Sequence, residues 1–296
     1  MIESTHRDHE AVEANINYLT KSSLVNRRYV AAGEEFNTGD YEPRLVKIRN
    51  ARNCQEQFTL DSHGFTLLAH KSNVDDFTDS ASVDAIYPDE VVAAVAGLTG
   101  ADLVVPLGWM LRTSGDIPKQ EEVAGYQHQG GLQPPAGDVH VDMLPDRAEG
   151  IAEAIYKKVA PDGTPYRRFI AMSVWRAFSP PPQDWPLAVC DGRSVEPSEG
   201  VANTMIVCDA LPDEATMLAP LAGEEEMMAA AVFRFNPAHR WWYFPDMTRD
   251  ELLLFKFHDS EKSVATRSPH TAFHDMSCDN PNERKSIEFR VIAYFL

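Results

Sequence analysis

Cysteine is scarce in this chain, and the few cysteines that occur are far apart. There are four of them, Cys54, Cys190, Cys208 and Cys278, and no C-x-x-C pair is present. This spacing predicts neither a zinc knuckle nor a disulfide framework. Long apolar runs are missing as well. No run reaches the ~18 residues of a membrane span, and the N-terminus lacks the apolar stretch of a signal peptide. We therefore expect a soluble, cytoplasmic protein.

Basic residues are also few. Lys and Arg together number 27 against 45 Asp and Glu, which gives a formal net charge of −18. A surface of this sign repels phosphate backbones and anionic membranes. Neither a nucleic acid nor a membrane is therefore an expected partner, and we expect a small-molecule substrate. The oligomeric state does not follow from the sequence.

The chain is long enough for one large domain or two ordinary ones. Its 296 residues are 44% hydrophobic, so a sizeable core can form. No internal repeat or low-complexity segment marks a boundary. We predict a single domain over residues 1–296, with 1–44 as an N-terminal extension and about 101–296 carrying the core. The polar residues 1–20 are expected to be irregular or partly helical.

Short apolar segments separated by Pro-rich turns dominate the second half of the chain. Many short strands with few helices are typical of closed double-sheet folds. We predict a mainly β fold: a double-stranded β-helix (jelly-roll or cupin-like) core with buttressing α-helices. The predicted strands are 101–107, 168–175, 187–190, 205–208, 229–235, 241–244, 252–258, 271–273 and 286–295.

The segments before and between these strands predict a few further elements. A hairpin is expected from strands at 58–60 and 65–68, with Gly64 in the turn. Asp89 is expected to cap a helix that ends near Gly100. Apolar residues spaced by four predict an amphipathic helix over 147–160. Residues 112–137, rich in Gly, Pro and Gln, predict a long loop of the kind that covers a substrate.

A short motif with the chemistry of a metal site lies in the middle of the chain. On a strand, residues two apart project to the same side, so His140 and Asp142 can reach one ion. One more imidazole from a distant strand would complete a set of two histidines and a carboxylate, which suits non-haem Fe(II). His270, His258 and His274 are the candidates, although His258 at the end of an apolar strand is typical of a structural histidine.

The final strand carries charges on one face. Arg284, Ser286, Glu288 and Arg290 alternate with the apolar Ile287 and Phe289. Buried arginines are costly unless they meet opposite charges. A small dianionic acid near the metal would supply them, because the arginine fork binds a carboxylate through two hydrogen bonds.

The chain resembles the Fe(II)/2-oxoglutarate dioxygenases in the order of these residues: an H-x-D motif, then a distant histidine, then an arginine. The spacing from Arg284 to Arg290 further resembles the AlkB branch, whose nucleic-acid substrates the acidic surface argues against. A closer resemblance is to the AsaB/CmcJ family (gibberellin-desaturase-like), hydroxylases and desaturases of microbial secondary metabolism. The chain departs from that pattern at Ser173, where Asn is expected, and at Gly192, where Ala is expected. The matching segments are 51–54, 60–65, 74–77, 173–176, 186–195, 259–260, 269–273 and 286–290.

Together, these resemblances imply the roles of the site residues. His140, Asp142 and His270 would bind Fe(II), with the Pro269-His270 match favouring His270 as the third ligand. Arg284 would hold the distal carboxylate of 2-oxoglutarate, and Arg290 would be the second contact, nearer the metal. With O2, the enzyme would hydroxylate, desaturate or oxidatively cyclise a small secondary metabolite or an amino-acid-derived substrate.

Three further residues are candidates for substrate binding. Trp175 and Arg176 are neighbours on a strand, so only one of them is expected to face the cavity. Arg193 and Arg176 could contact a substrate carboxylate, or form a buried ion network with Asp191. Trp175 could equally be a core residue.

Three alternative functions would each require different sequence features. A methyltransferase that uses S-adenosylmethionine would need a glycine-rich loop after a first strand, and the segment 97–100 lacks the G-x-G spacing. A catalytically silent cupin-like protein that binds a metal or a metabolite is the other alternative. Metal-dependent hydrolysis would call for a second cluster of carboxylates or histidines, which the sequence does not show.

Overall fold

Two β-sheets form the framework of the protein. The computed structural model describes residues 9–31, 34–117, 132–160 and 162–296. In these ranges the larger sheet has ten strands, in the spatial order β1 (Ala11–Leu19), β4 (Tyr41–Asn50), β13 (Trp241–Tyr243), β10 (Leu187–Cys190), β15 (His270–Ala272), β8 (His140–Val141), β12 (Ala229–Val232), β11 (Val201–Val207), β2 (Arg27–Ala31) and β3 (Glu34–Asn37).

The smaller sheet lies against the larger one. Its six described strands follow the order β5 (Phe65–Ala69), β14 (Glu251–Asp259), β9 (Arg168–Ala177), β16 (Lys285–Phe295), β6 (Leu103–Thr113) and β7 (Leu132–Gln133). The described α-helices are α1 (Leu60–His63), α2 (Ser80–Thr99), α3 (Pro145–Val159) and α4 (Glu214–Leu218), and single 3-10 turns occur at Ala51–Asn53, Gly192–Ser194 and Glu224–Glu226.

Each face of the smaller sheet has its own hydrophobic core. Between the sheets, Phe255 and Ile292 pack in one cluster with Trp241 of the larger sheet. On the outer face, Ile287 and Phe289 pack with residues of α2 in a second cluster. Strand β16 therefore sends alternate residues into the two cores, as predicted, and its charged positions lie between the sheets. The helices buttress a mainly β core, as the sequence predicted.

Two local predictions near the N-terminus were wrong. Residues 11–19 form a strand rather than an irregular segment, because Ile16 and Tyr18 alternate with polar residues and are fully buried. Residues 58–60 are not a strand: the Thr59 hydroxyl accepts from the Ser62 N–H and begins α1. That helix ends at Gly64, whose φ of 84° favours glycine.

Helix α2 also begins earlier than predicted. Its cap is Asp79, which accepts a hydrogen bond from the Ala81 N–H, and the helix continues through Pro88 to Gly100 at its C-terminal end. Of the predicted loop at 112–137, residues 112–113 belong to β6 and 132–133 to β7, while 118–131 lie outside the described residues. Helix α3 and the strands predicted from residue 168 onward agree with the structure to within a few residues.

Glycine stands at position 192, where the AsaB/CmcJ pattern has alanine, and the structure gives a steric reason for it. A Cβ at this position would lie 2.7 Å from the Arg267 carbonyl oxygen and 3.0 Å from the Ala265 Cβ. Glycine therefore allows the turn at Gly192–Ser194 to pack directly on the segment that precedes His270.

Candidate metal centre

Strand pairing brings together three residues that are far apart in sequence. His140 of β8 is the direct partner of His270 in β15, and Asp142 follows β8. The Asp142 Oδ1 lies 3.4 Å from the Nε2 of each histidine. The three ligand atoms all lie within 4.8 Å of one another. The geometry can therefore hold one metal ion.

Backbone carbonyls orient both imidazoles. The His140 Nδ1 lies 2.7 Å from the Asp138 oxygen, and the His270 Nδ1 lies 3.2 Å from the Ser268 oxygen. A carbonyl can only accept, so each Nδ1 carries a proton and each Nε2 faces Asp142. Metal-binding histidines are typically oriented in this way.

The charges of the three residues depend on one another. Burial lowers the pKa of His270, and the neighbouring His140 lowers it further, so this imidazole is neutral. Burial also lowers the pKa of His140, but Asp142 outweighs that effect and the net shift is upward. Burial would raise the pKa of Asp142, yet Arg290 and both histidines hold it well below its usual range. Metal binding would displace the proton from His140.

The donor set fits the ion that the sequence predicted. Two imidazole nitrogens and one carboxylate are the protein ligands of non-haem Fe(II) oxygenases. The rival histidines lie elsewhere: His258 faces Glu149 at 3.6 Å, and the His274 ring packs on Trp185 at 5.1 Å. His270 is thus the third member of this cluster.

Arg284 is a buried cation that has no carboxylate partner among the described residues. It is 1% exposed, and its Nη1 donates to the Trp185 carbonyl at 2.9 Å. Its Nε has no hydrogen-bond partner in the described part of the chain. Burial and the charge of Arg112 lower its pKa to about 9. Arg284 lines a small cavity together with His140 and His270, so the unpaired charge lies beside the metal cluster.

Arg290 is placed differently. Its Nη2 lies 2.6 Å from the Asp142 Oδ2 and 3.0 Å from the Glu288 Oε1. Glu288 in turn contacts the Arg112 Nε at 3.4 Å. A continuous row of opposite charges therefore runs from Arg112 to Asp142. Arg290 binds the carboxylate of the metal cluster, whereas Arg284 keeps hydrogen-bonding capacity for a ligand.

Only one of the three predicted substrate residues lies at the cavities. Trp175 lines the small cavity, and its ring lies 5.7 Å below the Arg284 guanidinium. Arg176 points to the opposite face of β9, where it donates to the Tyr87 hydroxyl and to the His70 carbonyl. It does not join an ion network with Asp191, although Arg193 does.

Arg193 lies at the turn Gly192–Ser194. It forms ion pairs with Asp191 at 2.7 Å and with Glu56 at 2.8 Å. Neither Arg176 nor Arg193 is among the described residues that line the two cavities. A substrate role for these two arginines stays a prediction, and the site described here does not use them.

Sequence reasoning missed Arg112, which lines both cavities. It had been placed at the start of a loop, but β6 continues to Thr113. Trp109 and Leu111 pack in the outer core with α2, so Arg112 faces the space between the sheets. The apolar run Trp109-Met110-Leu111, which continues β6 up to Arg112, is the signal that could have identified it.

A large cavity opens on the metal cluster. Its volume is about 820 Å³, and His140, Asp142 and Arg290 form one end. This volume lies in the range of sites for small molecules. Much of the remaining wall is apolar and includes Met143, Met205, Met228 and Val232. The cavity can hold a small molecule beside His140 and Asp142 of the cluster.

The comparisons with known proteins agree with this site. A family model described as "Oxidoreductase/YMDC permease-like domain" matches residues 16–294. The hydroxylase/desaturase CTB9 of Cercospora beticola is 32% identical over 262 residues, which cover 86% of this chain and 78% of that protein. The Fe(II)/2-oxoglutarate-dependent dioxygenase nvfI of Aspergillus novofumigatus is 29% identical over 287 residues, with 93% and 92% of the two chains covered.

A solved structure resembles the whole fold. The iron and alpha-ketoglutarate-dependent endoperoxidase NvfI superposes with a TM-score of 0.75 at 25% identity, and the alignment covers 97% of this chain and 98% of that one. The predicted fold class is confirmed by this match. In the part of the chain that the structure describes, no helix combines the length and the apolar character needed to cross a membrane.

Proposed function

Because this chain belongs to the family of Fe(II)/2-oxoglutarate-dependent hydroxylases and desaturases, we propose that His140, Asp142 and His270 bind its ferrous ion. The observation that carries this assignment is the position of one carboxylate oxygen 3.4 Å from two imidazole Nε2 atoms. The protein is a dioxygenase of this family, and its cofactor and co-substrates are Fe(II), 2-oxoglutarate and O2.

We assign the distal carboxylate of 2-oxoglutarate to Arg284. The guanidinium is buried beside both histidines and lacks a carboxylate partner among the described residues, so a carboxylate from a ligand would compensate its charge. Ser286 lies two residues further along the same face, and its Oγ has no hydrogen-bond partner in the described structure. It is a suitable second donor to the same carboxylate.

The row of charges from Arg112 to Asp142 has an orienting role. Arg290 holds the second oxygen of Asp142 at 2.6 Å, which leaves Oδ1 directed between the two histidines. Glu288 in turn fixes Arg290. This network keeps Asp142 ionised and in place before the ion binds.

When bound, iron supplies the oxidising chemistry, in which O2 and 2-oxoglutarate give succinate, carbon dioxide and an oxidised substrate. The chain itself positions one C–H bond of the substrate and excludes bulk water. The apolar part of the large cavity serves both purposes, while charged side chains such as Arg112 and Arg290 line the same cavity near His140.

The substrate is a small molecule, and we propose a secondary metabolite or an amino-acid-derived compound. The outcome would be hydroxylation, desaturation or oxidative cyclisation. The reported relatives are named hydroxylase, desaturase and dioxygenase, which favours an oxygenase over the methyltransferase alternative. A formal charge of −18 disfavours nucleic acids and anionic membranes as partners. A cytoplasmic location and a single domain over residues 1–296 stay predictions.

Conversion of 2-oxoglutarate to succinate tests the proposed function. We expect O2-dependent succinate formation that requires Fe(II), and we expect His140→Ala to abolish it because one of three ligands is lost. His258→Gln is the matched control, since His258 is a buried histidine outside the cluster. Full turnover by His140→Ala would contradict the metal assignment. Iron binding without any succinate formation would instead support the catalytically silent alternative.

A further inference from the structure

Arg112 lies in the partition between the two cavities. Arg112, Ala136 and His140 are the described residues that line both of them. In the pairing of β6 with β16, Arg112 is the direct partner of Ser286, and Arg284 lies two residues before that serine. A group that binds Arg112 from the large cavity is therefore held beside the metal cluster.

The Arg112 guanidinium can be reached by a ligand in the large cavity. The residue is 9% exposed, whereas Arg284 is only 1% exposed. Two of the three guanidinium nitrogens already donate within the described part of the chain: Nε to Glu288 and Nη1 to the Pro134 carbonyl. Nη2 makes neither of these hydrogen bonds and is available to a ligand.

The charge of Arg112 is weakly compensated. Its contact with Glu288 spans 3.4 Å, whereas Arg290 lies 3.0 Å from the same carboxylate and 2.6 Å from Asp142. Among the described residues, no other carboxylate pairs with Arg112. Burial lowers the pKa of Arg284, and the charge of Arg112 lowers it further. An anion in the large cavity would compensate the charge of Arg112, because its fork can hold a carboxylate.

The rest of the charged wall is mostly acidic. Glu34 and Glu35 of β3 line the other end of the large cavity, where Arg28 pairs with Glu35 at 2.6 Å. Asp138, just before β8, adds a third carboxylate to the wall. Like charges repel, so the acid group of a ligand has one favourable position in this cavity, at Arg112.

We propose that the substrate is a small organic acid with an apolar body, and that Arg112 binds its carboxylate in the large cavity. Met143 and Met228 would contact the apolar body. Arg112 thus selects the acid group and directs the attached carbon skeleton toward His140. This inference rests on the proposed function, because it takes the metal cluster as the reacting end and Arg284 as the position of 2-oxoglutarate.

Three rigid probes of similar size test which charge the cavity prefers. They are 4-phenylcyclohexanecarboxylate, 4-phenylcyclohexanecarboxamide and 4-phenylcyclohexylmethylamine, which are anionic, neutral and cationic at neutral pH. Calorimetry would measure their binding to the full chain loaded with Mn(II) and saturating 2-oxoglutarate, which does not turn over and in which Arg284 is occupied. We expect the carboxylate to bind about tenfold more tightly than the carboxamide, and the amine to bind most weakly.

Variants at position 112 assign this preference to one residue. Arg112→Met removes the guanidinium, and Arg112→Gln keeps a donor for Glu288 without the charge. Both should bind the carboxylate about tenfold more weakly and lose the preference over the carboxamide. The matched control is Arg28→Met, which removes an arginine from the other end of the same cavity and should retain the preference. Thermal melting would confirm that the variants fold, and the probe series on the wild type decides alone where they do not.

Equal binding of the carboxylate and the carboxamide by the wild type, no detectable binding of the carboxylate, or an unchanged preference in a folded Arg112 variant would overturn the proposal. A loss of 2-oxoglutarate affinity in Arg112→Met as large as that in Arg284→Met would also overturn it, because Arg112 would then bind the co-substrate. The affinity of the wild type for Mn(II) and 2-oxoglutarate, measured first, tests the proposed function separately. If neither binds, that function fails and this inference with it.

Discussion

At the scale of single residues, Arg290 of β16 and Arg284, directly before it, differ in the hydrogen bonds that they already make. Arg290 already contacts Asp142 and Glu288. Arg284 is buried, and its Nε has no hydrogen-bond partner among the residues that the structure describes; its pKa falls to about 9 because burial and the charge of Arg112 both disfavour its charged form. An anion beside Arg284 would reverse this penalty. We therefore propose separate roles for the two arginines, although both lie on the same strand face.

We predict that Arg284→Met weakens the use of 2-oxoglutarate. Each charge-assisted hydrogen bond contributes roughly 1.5–3 kcal/mol, so the loss should raise the KM for 2-oxoglutarate about tenfold to a hundredfold. Arg284→Lys should recover part of this loss, because a lysine keeps the charge but not the fork. The measurement is the initial rate of succinate formation against 2-oxoglutarate concentration. An unchanged KM in the methionine variant would refute the assignment.

At the scale of elements, strand alternation made the site partly predictable. The charged face of β16, the H-x-D segment and the apolar strands on either side follow a period of two that can be read without a structure. Arg112 could not be placed because the Gly- and Pro-rich segment beyond it obscured the end of β6. The start of α2 was also missed: the helix begins at Ser80 and continues through Pro88, a residue that usually ends or kinks a helix.

Which strands pair with each other could not be predicted from the sequence. The pairing of β8 with β15 depends on which of many short apolar segments meet, and their patterns are alike. Family resemblance, rather than periodicity, separated His270 from His258 and His274. The N-terminal strand β1 was missed because Glu13, Asn15 and Asn17 make it look polar, although the residues between them are buried.

Arg176 connects strand β9 to neighbouring elements through hydrogen bonds. Its guanidinium donates to the Tyr87 hydroxyl on α2 and to the carbonyls of His70 and Arg249. We predict that Arg176→Met lowers stability by about 1–3 kcal/mol, because buried acceptors lose their donor. Chemical denaturation would measure this change. The KM for 2-oxoglutarate should stay unchanged, and a large rise with little loss of stability would restore Arg176 as a ligand-binding residue.

At the scale of the whole molecule, the site depends on the order of strands in the larger sheet. His140 and His270 meet because β8 and β15 are neighbours, and Asn203 faces the same cavity because β12 and β11 follow next in that order. The smaller sheet supplies the arginines from β16 and β6. Neither sheet alone forms the site, so the metal cluster and the cavity require the complete two-sheet fold.

Iron binding tests the central claim most directly. Fe(II) would be titrated without oxygen, by calorimetry, into the wild type, His140→Ala, Asp142→Ala, His270→Ala and the control His258→Gln. The account predicts one ion per chain in the wild type and the control, and at least about tenfold weaker binding in each of the three cluster variants. Undiminished binding of Fe(II) by a folded His140→Ala or His270→Ala would contradict it.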